Sequence, residues 1–295
     1  MCGIIGYIGG ENAAERIIYG LKKLEYRGYD SAGLAVIEEG QITRYRSEGK
    51  LENLVEKIKG KKISGLTGIG HTRWATHGRP SDENAHPHTD CTGTISIIHN
   101  GIIENYFEIK EKLKKKKHRF ASETDTEIFA HLIEDNISKG FEKAVYAALR
   151  QIRGMYAMVI LYSGEPDKII AARQGSPLVI GCGKGENYVA SDAPSFLKYT
   201  RKAMFLNDGD TAVIEKDKIK VYNSGKEVKR QVKELKWTIK QAEKSGYPHY
   251  MLKEISEQAQ AFEDTITGRI GTDFIEFENI DRKKLKGIKT IRILA

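Results

Sequence analysis

The sequence predicts an α+β fold in which two packed, mainly antiparallel sheets carry helices on their outer faces. Single helices alternate with strands near the start of the chain, and three helical patterns follow one another in its middle. Short β-branched segments separated by turn residues then run from 155 to 222, a spacing typical of antiparallel sheet. The 295 residues suffice for one large domain or two smaller ones.

The first strand and the first helix follow from local pattern. A strand is predicted at 3–8, where isoleucines and a tyrosine are interspersed with glycines. A helix is predicted at 12–24, and its apolar face comprises Ile17, Ile18, Leu21 and Leu24. Asn12 can cap this helix, with Glu15 three residues later. The turn-rich stretch 25–33 ends it.

The later elements are predicted from the same signals, namely apolar residues at helical spacing and short β-branched segments between turns. Paired strands are expected at 34–37 and 42–45, and a short helix at 51–58. A clear strand at 94–98 ends in His99-Asn-Gly101. The helices of the middle are expected at 104–117, 126–137 and 141–150. The strands after them are expected at 155–162, 168–172, 178–181, 188–190, 203–206, 211–214 and 219–222.

The composition changes after residue 227, and this change predicts three parts. Residues 1–227 form the main domain, the Lys- and Gln-rich stretch 228–246 a linker, and 247–295 the start of a second domain. That last part holds a helix-like segment at 247–258 and an apolar strand at 288–294. Because the strand has nothing after it, we expect the second domain to be incomplete in this sequence.

The composition favours a cytoplasmic protein without membrane or nucleic-acid partners. No apolar run approaches the ~18 residues of a membrane span, and no basic segment typical of a signal peptide precedes the first apolar residues. The cysteines at positions 2, 91 and 182 show no metal-binding spacing, which suits a reducing compartment. The net charge is +8, and the basic run 110–119 lacks interleaved aromatic residues, so it indicates a solvated helix face.

Cys2 is the first candidate for chemistry. If Met1 is removed, Cys2 carries a thiol and a free α-amine on one residue. Their ordinary pKa values of about 8.5 and about 8 would let that residue supply both a nucleophile and a base near neutral pH. The alternative is a small buried residue at the start of a core strand, and Met-Cys-Gly taken alone favours that alternative.

Two further polar clusters lie at strand ends or loops, where sites are often built. Arg73, in His71-Thr-Arg-Trp-Ala-Thr-His-Gly78, offers a planar fork for a carboxylate, and Thr76 and His77 could add donors. The alternative is a surface arginine beside a core Trp74. Asn100-Gly101 could hold a developing oxyanion, although Asn-Gly is also a common hairpin turn.

Asp125 is the fourth candidate, in the stretch Ser122-Glu-Thr-Asp-Thr-Glu127. Its carboxylate could neutralise a substrate ammonium group, and the alternative is that the stretch caps a helix. Taken together, the clusters describe a pocket for an α-amino acid. Arg73 would bind the carboxylate, Asp125 the ammonium and Asn100-Gly101 the oxyanion, while Cys2 attacks a side-chain amide. Spacing alone does not prove that these residues assemble.

Several motifs, in order along the chain, resemble the glutaminase domain of the glutamine–fructose-6-phosphate aminotransferase family. This family belongs to the class II glutamine amidotransferases. The resemblance covers essentially the whole chain, and its motifs include Cys2-Gly-Ile-Ile-Gly, Leu24-Glu-Tyr-Arg-Gly-Tyr-Asp-Ser-Ala-Gly33, His71-Thr-Arg-Trp-Ala-Thr-His-Gly78, His99-Asn-Gly-Ile-Ile-Glu-Asn105 and Ser122-Glu-Thr-Asp-Thr-Glu127. The class shares the N-terminal cysteine and Asn-Gly, whereas the second and fifth motifs point to this branch.

The resemblance implies a four-layer αββα sandwich of the N-terminal-nucleophile hydrolase type with two mainly antiparallel sheets. It implies Cys2 as nucleophile and Asn100 and Gly101 as the oxyanion hole. The residues it implies for glutamine binding are Arg73, Thr76, His77 and Asp125. Trp74 would belong to a loop that closes over the site, and Arg27 would orient the N-terminal end.

The resemblance also implies the partners. L-Glutamine would be the substrate, and no cofactor or metal is expected. Fructose 6-phosphate would bind only through the missing sugar-phosphate domain, so this chain would release glutamate and ammonia without making a hexosamine. The full-length enzyme would form a homo-oligomer.

Two other functions fit parts of the sequence. A metal hydrolase could use Asp90 and several histidines, although no recognised zinc spacing is present; the histidines are His71, His77, His86, His88 and His99. A non-catalytic module could use the same amino-acid pocket to sense glutamine.

Overall fold

The computed structural model describes residues 2–75, 78–236 and 247–266 and the single positions 288, 290 and 292. The chain divides into two compact units, Met1–Ala242 and Glu243–Ala295. Of the predicted site, Thr76 and His77 lie outside the described residues, as does nearly all of the strand predicted at 288–294.

The described residues of the first unit form two antiparallel sheets. The strands are β1 Gly3–Ile8, β2 Ser31–Glu38, β3 Gln41–Glu48, β4 Thr67–Arg73, β5 His88–Thr89, β6 Ile95–Ile103, β7 Gly154–Tyr162, β8 Ile169–Gln174, β9 Val179–Cys182, β10 Asn187–Ala190, β11 Lys202–Phe205, β12 Asp210–Ile214, β13 Ile219–Asn223, β14 Lys226–Val228 and β15 Val232–Glu234. Within these residues, the larger sheet has eight strands in the order β15-β11-β9-β10-β1-β4-β2-β3, and the smaller has seven in the order β14-β13-β12-β8-β7-β6-β5.

The helices begin and end close to the predicted positions. In the first unit they are α1 Ala13–Leu24, α2 Leu51–Ile58, α3 Tyr106–Lys115, α4 Glu127–Glu134 and α5 Phe141–Leu149. The side chain of Asn12 accepts a hydrogen bond from the backbone N–H of Glu15, which confirms the predicted cap of α1. The second unit contains α6, Tyr250–Ile266, which extends beyond the helix-like segment predicted there. Among the described residues, no helix is both long and apolar enough to cross a membrane.

Successive side chains along a strand point to opposite faces of its sheet, and this alternation produces four layers. On β1, Ile5 and Tyr7 pack in the cluster that includes α1, whereas Ile4 and Ile8 pack in the cluster between the two sheets. On β7, Met158 faces the cluster that includes α4 and α5, opposite to its inward-facing neighbours. The layers are therefore helix, sheet, sheet and helix, as the resemblance implied.

Two local interpretations of the sequence differ from the structure. Asn100 and Gly101 do not form the hairpin turn that was the alternative to an oxyanion site: β6 continues through both, and Gly101 pairs with Tyr156 of β7. The stretch predicted as a linker includes β15, which pairs with β11 at the edge of the larger sheet. Its side chains are exposed, so the ladder of backbone hydrogen bonds, which leaves no hydrophobic signal in the sequence, forms this strand.

Candidate active site

Cys2 directly precedes β1, a strand in the interior of the larger sheet between β10 and β4. Its Sγ accepts a hydrogen bond from the backbone N–H of Trp74 at 3.1 Å. Burial raises the pKa of the Cys2 thiol above its ordinary value, and the Trp74 hydrogen bond and the charge of Arg73 oppose this effect only in part. The thiol is therefore protonated at neutral pH, and it needs a base before it can act as a nucleophile.

The carbonyl oxygen of Cys2 is held by two side chains. Asn100 Nδ2 donates to it at 2.8 Å, and Arg27 Nε donates at 3.3 Å. The other end of the Asn100 amide, Oδ1, lies 2.9 Å from Nε2 of His71. Because an amide oxygen only accepts, His71 carries its proton on Nε2. The two hydrogen bonds, from His71 to Asn100 and from Asn100 to Cys2, fix the orientation of the Asn100 amide.

Gly101 occupies a backbone conformation that suits only glycine. Its φ is +135°, and a Cβ built there would lie 2.0 Å from the carbonyl oxygen of Met155 on the paired strand. Position 101 therefore requires a glycine because β7 lies so close to it within the sheet.

Arg73 ends β4 and is 4% exposed. Its Nη2 donates to the carbonyl oxygen of Gly78 at 3.0 Å. Burial lowers the pKa of its guanidinium, and the nearby Cys2, Asp30 and Asp125 oppose this effect. The side chain thus presents a buried positive charge beside the thiol.

Asp125 is also buried, at 6% exposure. Its Oδ2 accepts a hydrogen bond from the backbone N–H of Ile103 at 2.7 Å, at the end of β6. The capping interpretation of this residue was wrong, because α4 is capped at Thr126, whose side chain makes no capping hydrogen bond. The carboxylate is instead fixed against the smaller sheet.

These side chains meet at one small cavity of about 30 Å³, which is room for about one water molecule. Its lining comprises Cys2, Arg73, Trp74, His86, His99, Gly101, Thr124, Asp125 and Thr126. Cys2, Arg73, Trp74, Gly101 and Asp125 from the predicted set therefore converge. Asn100 and Arg27 contact Cys2 through its carbonyl oxygen.

Thr126 was missed by the sequence prediction. Its Oγ1 lies 3.1 Å from His86 Nε2 and 3.0 Å from His99 Nδ1, so one hydroxyl joins two buried histidines on the cavity wall. Burial lowers the pKa of both imidazoles, which are neutral at pH 7. The excess of Ser, Thr and His around the motifs was the available signal, but it also fitted caps and metal ligands.

Two other supports were also missed. Asp192 Oδ2 accepts from Arg27 Nη1 at 3.2 Å and from the Tyr26 hydroxyl at 2.6 Å. Asp30 Oδ2 accepts from the backbone N–H of Ala75 at 2.8 Å, next to the half-exposed Trp74. Their partners lie 45 or more residues away along the chain, a distance that local patterns do not span.

The metal-hydrolase alternative gains no support from the described part of the chain. In residues 2–75, 78–236 and 247–266, one set of ligand-type atoms converges, at Cys91. That set includes neither Asp90 nor any of the four described histidines proposed as ligands, and His77 is outside the description.

Comparison with known proteins agrees with this geometry. A family model described as a glutamine amidotransferase domain matches residues 71–198. Glutamine–fructose-6-phosphate aminotransferase of Pyrococcus horikoshii is 53% identical over 274 residues, which is 92% of this chain and 46% of the relative. The enzyme of the same name from Aquifex aeolicus is 47% identical over the full chain and 49% of the relative. The chain thus spans about half the length of these relatives.

Solved structures give the same fold. The glutamine phosphoribosylpyrophosphate amidotransferase of Bacillus subtilis, complexed with ADP and GMP, matches with a TM-score of 0.66 and 26% identity, covering 75% of this chain and 49% of that one. Fold and site define a class II glutamine amidotransferase domain of the N-terminal-nucleophile type. Within that class, the sequence matches the glutaminase portion of the glutamine–fructose-6-phosphate aminotransferases.

Proposed function

We propose that this chain hydrolyses the side-chain amide of L-glutamine to glutamate and ammonia, with Cys2 as the nucleophile. The observation that carries the proposal is the meeting of a thiol, a buried guanidinium and a buried carboxylate at one cavity, in Cys2, Arg73 and Asp125. An α-amino acid offers a complementary carboxylate and ammonium, and glutamine adds an amide for the thiol to attack.

The reaction has two halves. Once Met1 is removed, the α-amine of Cys2 takes the thiol proton, and Sγ forms a bond to the amide carbon of glutamine. The tetrahedral intermediate collapses as the carbon–nitrogen bond breaks and the amine returns the proton to the leaving nitrogen, which departs as ammonia. Water then adds to the thioester, glutamate leaves and the thiol regains its proton.

Asn100 and Gly101 stabilise the oxyanion in this proposal. One hydrogen of the Asn100 amide is directed to the Cys2 carbonyl oxygen, and the amide has a second hydrogen for the intermediate. The backbone N–H of Gly101 is the second donor. A fixed amide needs no reorientation when charge develops, which is the physical basis of its contribution.

The remaining predicted residues hold and enclose the substrate. Arg73 binds the carboxylate of glutamine and Asp125 its ammonium group, while Thr76 and His77 add hydrogen bonds. Trp74 closes over the bound substrate. Because the cavity of about 30 Å³ is too small for glutamine, entry requires the segment around Trp74 to move away from Cys2. Arg27 orients the N-terminal residue through its bond to the Cys2 carbonyl oxygen.

The molecule that accepts the ammonia would be a substrate of the whole protein. We propose that this is fructose 6-phosphate, bound by a domain beyond residues 1–227, because the relatives that match at 47% to 53% identity carry that substrate in their names. We also propose that the whole protein is a cytoplasmic homo-oligomer. Residues 1–227 would perform the glutaminase half.

Glutamate release from glutamine tests the proposal. The chain with Met1 removed, as verified by the mass of its N-terminal peptide, should be active, and Cys2→Ala should abolish activity. Cys182→Ser is the matched control, since Cys182 is another free, half-buried thiol. Activity that survives Cys2→Ala would exclude the thioester route. Tight glutamine binding without turnover, in protein with a free Cys2, would favour the sensing module instead.

A further inference from the structure

A second cluster of reactive side chains lies at Cys91. The ligand atoms of Cys91, His118, His131 and Glu134 all lie within 4.8 Å of one another. The Cys91 Sγ is 3.6 Å from Nδ1 of His118 and 3.6 Å from Nδ1 of His131. Each of these two nitrogens is 3.0 Å from Oε2 of Glu134.

Three separate segments supply the four residues. Cys91 lies in the turn between β5 and β6, and His118 follows the end of α3. His131 and Glu134 are three residues apart on α4, a spacing that places both side chains on one face of a helix. A group bound by all four would cross-link the edge of the smaller sheet to two helices of the outer layer.

The sulfur–nitrogen separations are those of a four-coordinate metal ion. With metal–sulfur and metal–nitrogen bonds of about 2.3 and about 2.1 Å at tetrahedral angles, sulfur and nitrogen ligands lie about 3.6 Å apart. Both sulfur–nitrogen separations here are 3.6 Å. Oxygen and nitrogen ligands lie about 3.3 Å apart in such a site, which is within a few tenths of an ångström of the 3.0 Å between Glu134 Oε2 and each histidine Nδ1.

The outer nitrogen of His118 supports the same conclusion. Its Nε2 lies 2.9 Å from Oδ1 of Asp135, and a carboxylate oxygen requires that nitrogen to carry the proton. The other nitrogen, Nδ1, is directed into the cluster, 3.0 Å from Glu134 Oε2 and 3.6 Å from the Cys91 Sγ. A carboxylate bonded to the outer nitrogen is common in histidines that bind a metal.

His131 repeats the arrangement on the other side of the cluster. Its Nε2 is buried and lies 3.8 Å from Oε1 of Glu127, and the part of the chain that the structure describes offers it no closer hydrogen-bond partner. Histidines that bind a metal through one nitrogen commonly direct the other towards a carboxylate. The backbone N–H of Arg119 donates to the Cys91 sulfur at 3.4 Å and helps to hold it beside the two histidines.

We propose that Cys91, His118, His131 and Glu134 bind one Zn²⁺ ion that stabilises the fold. A thiolate, two neutral imidazoles and a carboxylate balance the +2 charge, and binding releases the thiol proton of Cys91 to solvent. Because all four positions are filled by protein ligands, the site is structural. None of the four lines the cavity at Cys2, so the proposal does not depend on the glutaminase function.

Cobalt binding tests the ligand set. Metal-free protein in the Cys2→Ala background, which removes the other reactive thiol, is titrated with Co²⁺. We expect one ion per chain, a sulfur-to-cobalt charge-transfer band and the intense visible bands of tetrahedral cobalt. Cys91→Ser should remove the charge-transfer band, and Cys182→Ser should retain it. A band that persists in Cys91→Ser, or no stoichiometric binding, would overturn the proposal.

Two measurements need no substitution at the site. Zn²⁺ at about one hundred times its Kd should raise the Tm of the metal-free chain by on the order of 5 to 10 °C. It should also slow alkylation of Cys91, which is exposed, and leave alkylation of Cys182 unchanged, as read from peptide masses. Equal alkylation of Cys91 with and without zinc would show that the thiol binds no metal.

Discussion

The Asn100 side-chain amide donates to the carbonyl oxygen of Cys2 at 2.8 Å, while its own oxygen accepts from His71. A strand of the smaller sheet thereby holds the backbone of the residue that directly precedes β1 of the larger sheet. This bond positions the reactive thiol and, at the same time, fixes the group that we assign to the oxyanion.

Asn100→Ala removes both effects. We expect kcat for glutamine hydrolysis to fall by about 10² to 10³, with a smaller change in KM, because the lost donor acts on charge that develops in the transition state. The exposed Asn53→Ala is the control, since its amide bonds to the Glu48 carbonyl oxygen on another element. An unchanged kcat in Asn100→Ala would remove the residue from the oxyanion hole.

Arg73→Lys tests the carboxylate contact. Lysine keeps the charge and loses the planar fork, so we expect KM for glutamine to rise by roughly tenfold, the loss of one charge-assisted hydrogen bond. Steady-state kinetics of glutamate release give this value. The exposed Arg153→Lys should leave KM unchanged. If Arg73→Lys also has the parental KM, the carboxylate binds elsewhere.

The prediction from sequence succeeded where one segment was sufficient. The cap at Asn12 and the buried strand β1 follow from neighbouring residues. Motif resemblance identified the family and nominated Cys2, Arg73 and Asp125, which do line one cavity.

The contacts that could not be predicted from the sequence join residues that lie far apart along the chain. The bond between Thr126 and His99 and the cluster at Cys91 form only when separate elements pack together. The alternative of a hairpin turn at Asn100-Gly101 stayed open for a related reason. Asn-Gly signals a hairpin turn locally, whereas the neighbouring strand β7 decides that β6 continues.

The buried histidines predict that acid destabilises the protein. Burial lowers the pKa of His71 from 6.5 to about 3. Between these values the unfolded chain binds a proton that the folded chain does not, so this contribution to stability is present above pH 6.5 and declines as the pH falls towards 3. Burial also lowers the pKa values of His86 and His88, so both histidines contribute to the loss of stability in acid.

His71→Gln isolates one of these terms. Glutamine keeps a donor for Asn100 and has no proton to gain, so urea unfolding at several pH values below about 6.5 should show a slope smaller by about 1.4 kcal/mol per pH unit. His249→Gln, at an exposed position, should keep the parental slope. Equal slopes in the parent and His71→Gln would mean that His71 is protonated in the folded state.

Gly101→Ala tests whether the sheet demands glycine beside Asn100. Its Cβ would meet the Met155 carbonyl oxygen at 2.0 Å, so β6 and β7 would have to separate. Gly140→Ala is a matched control, with a φ of +94° and no atom within 4 Å of the added Cβ, so it carries backbone strain of about 1 to 3 kcal/mol without a clash. We expect the free energy of unfolding of Gly101→Ala to fall by about 2 kcal/mol more than that of this control in urea unfolding.

Gly101→Ala should also lose glutaminase activity while still folded, because the shifted strand moves Asn100 away from Cys2. Equal losses of stability in the two variants would show that the strands accommodate the methyl group, and full activity would show that the position of Asn100 tolerates it.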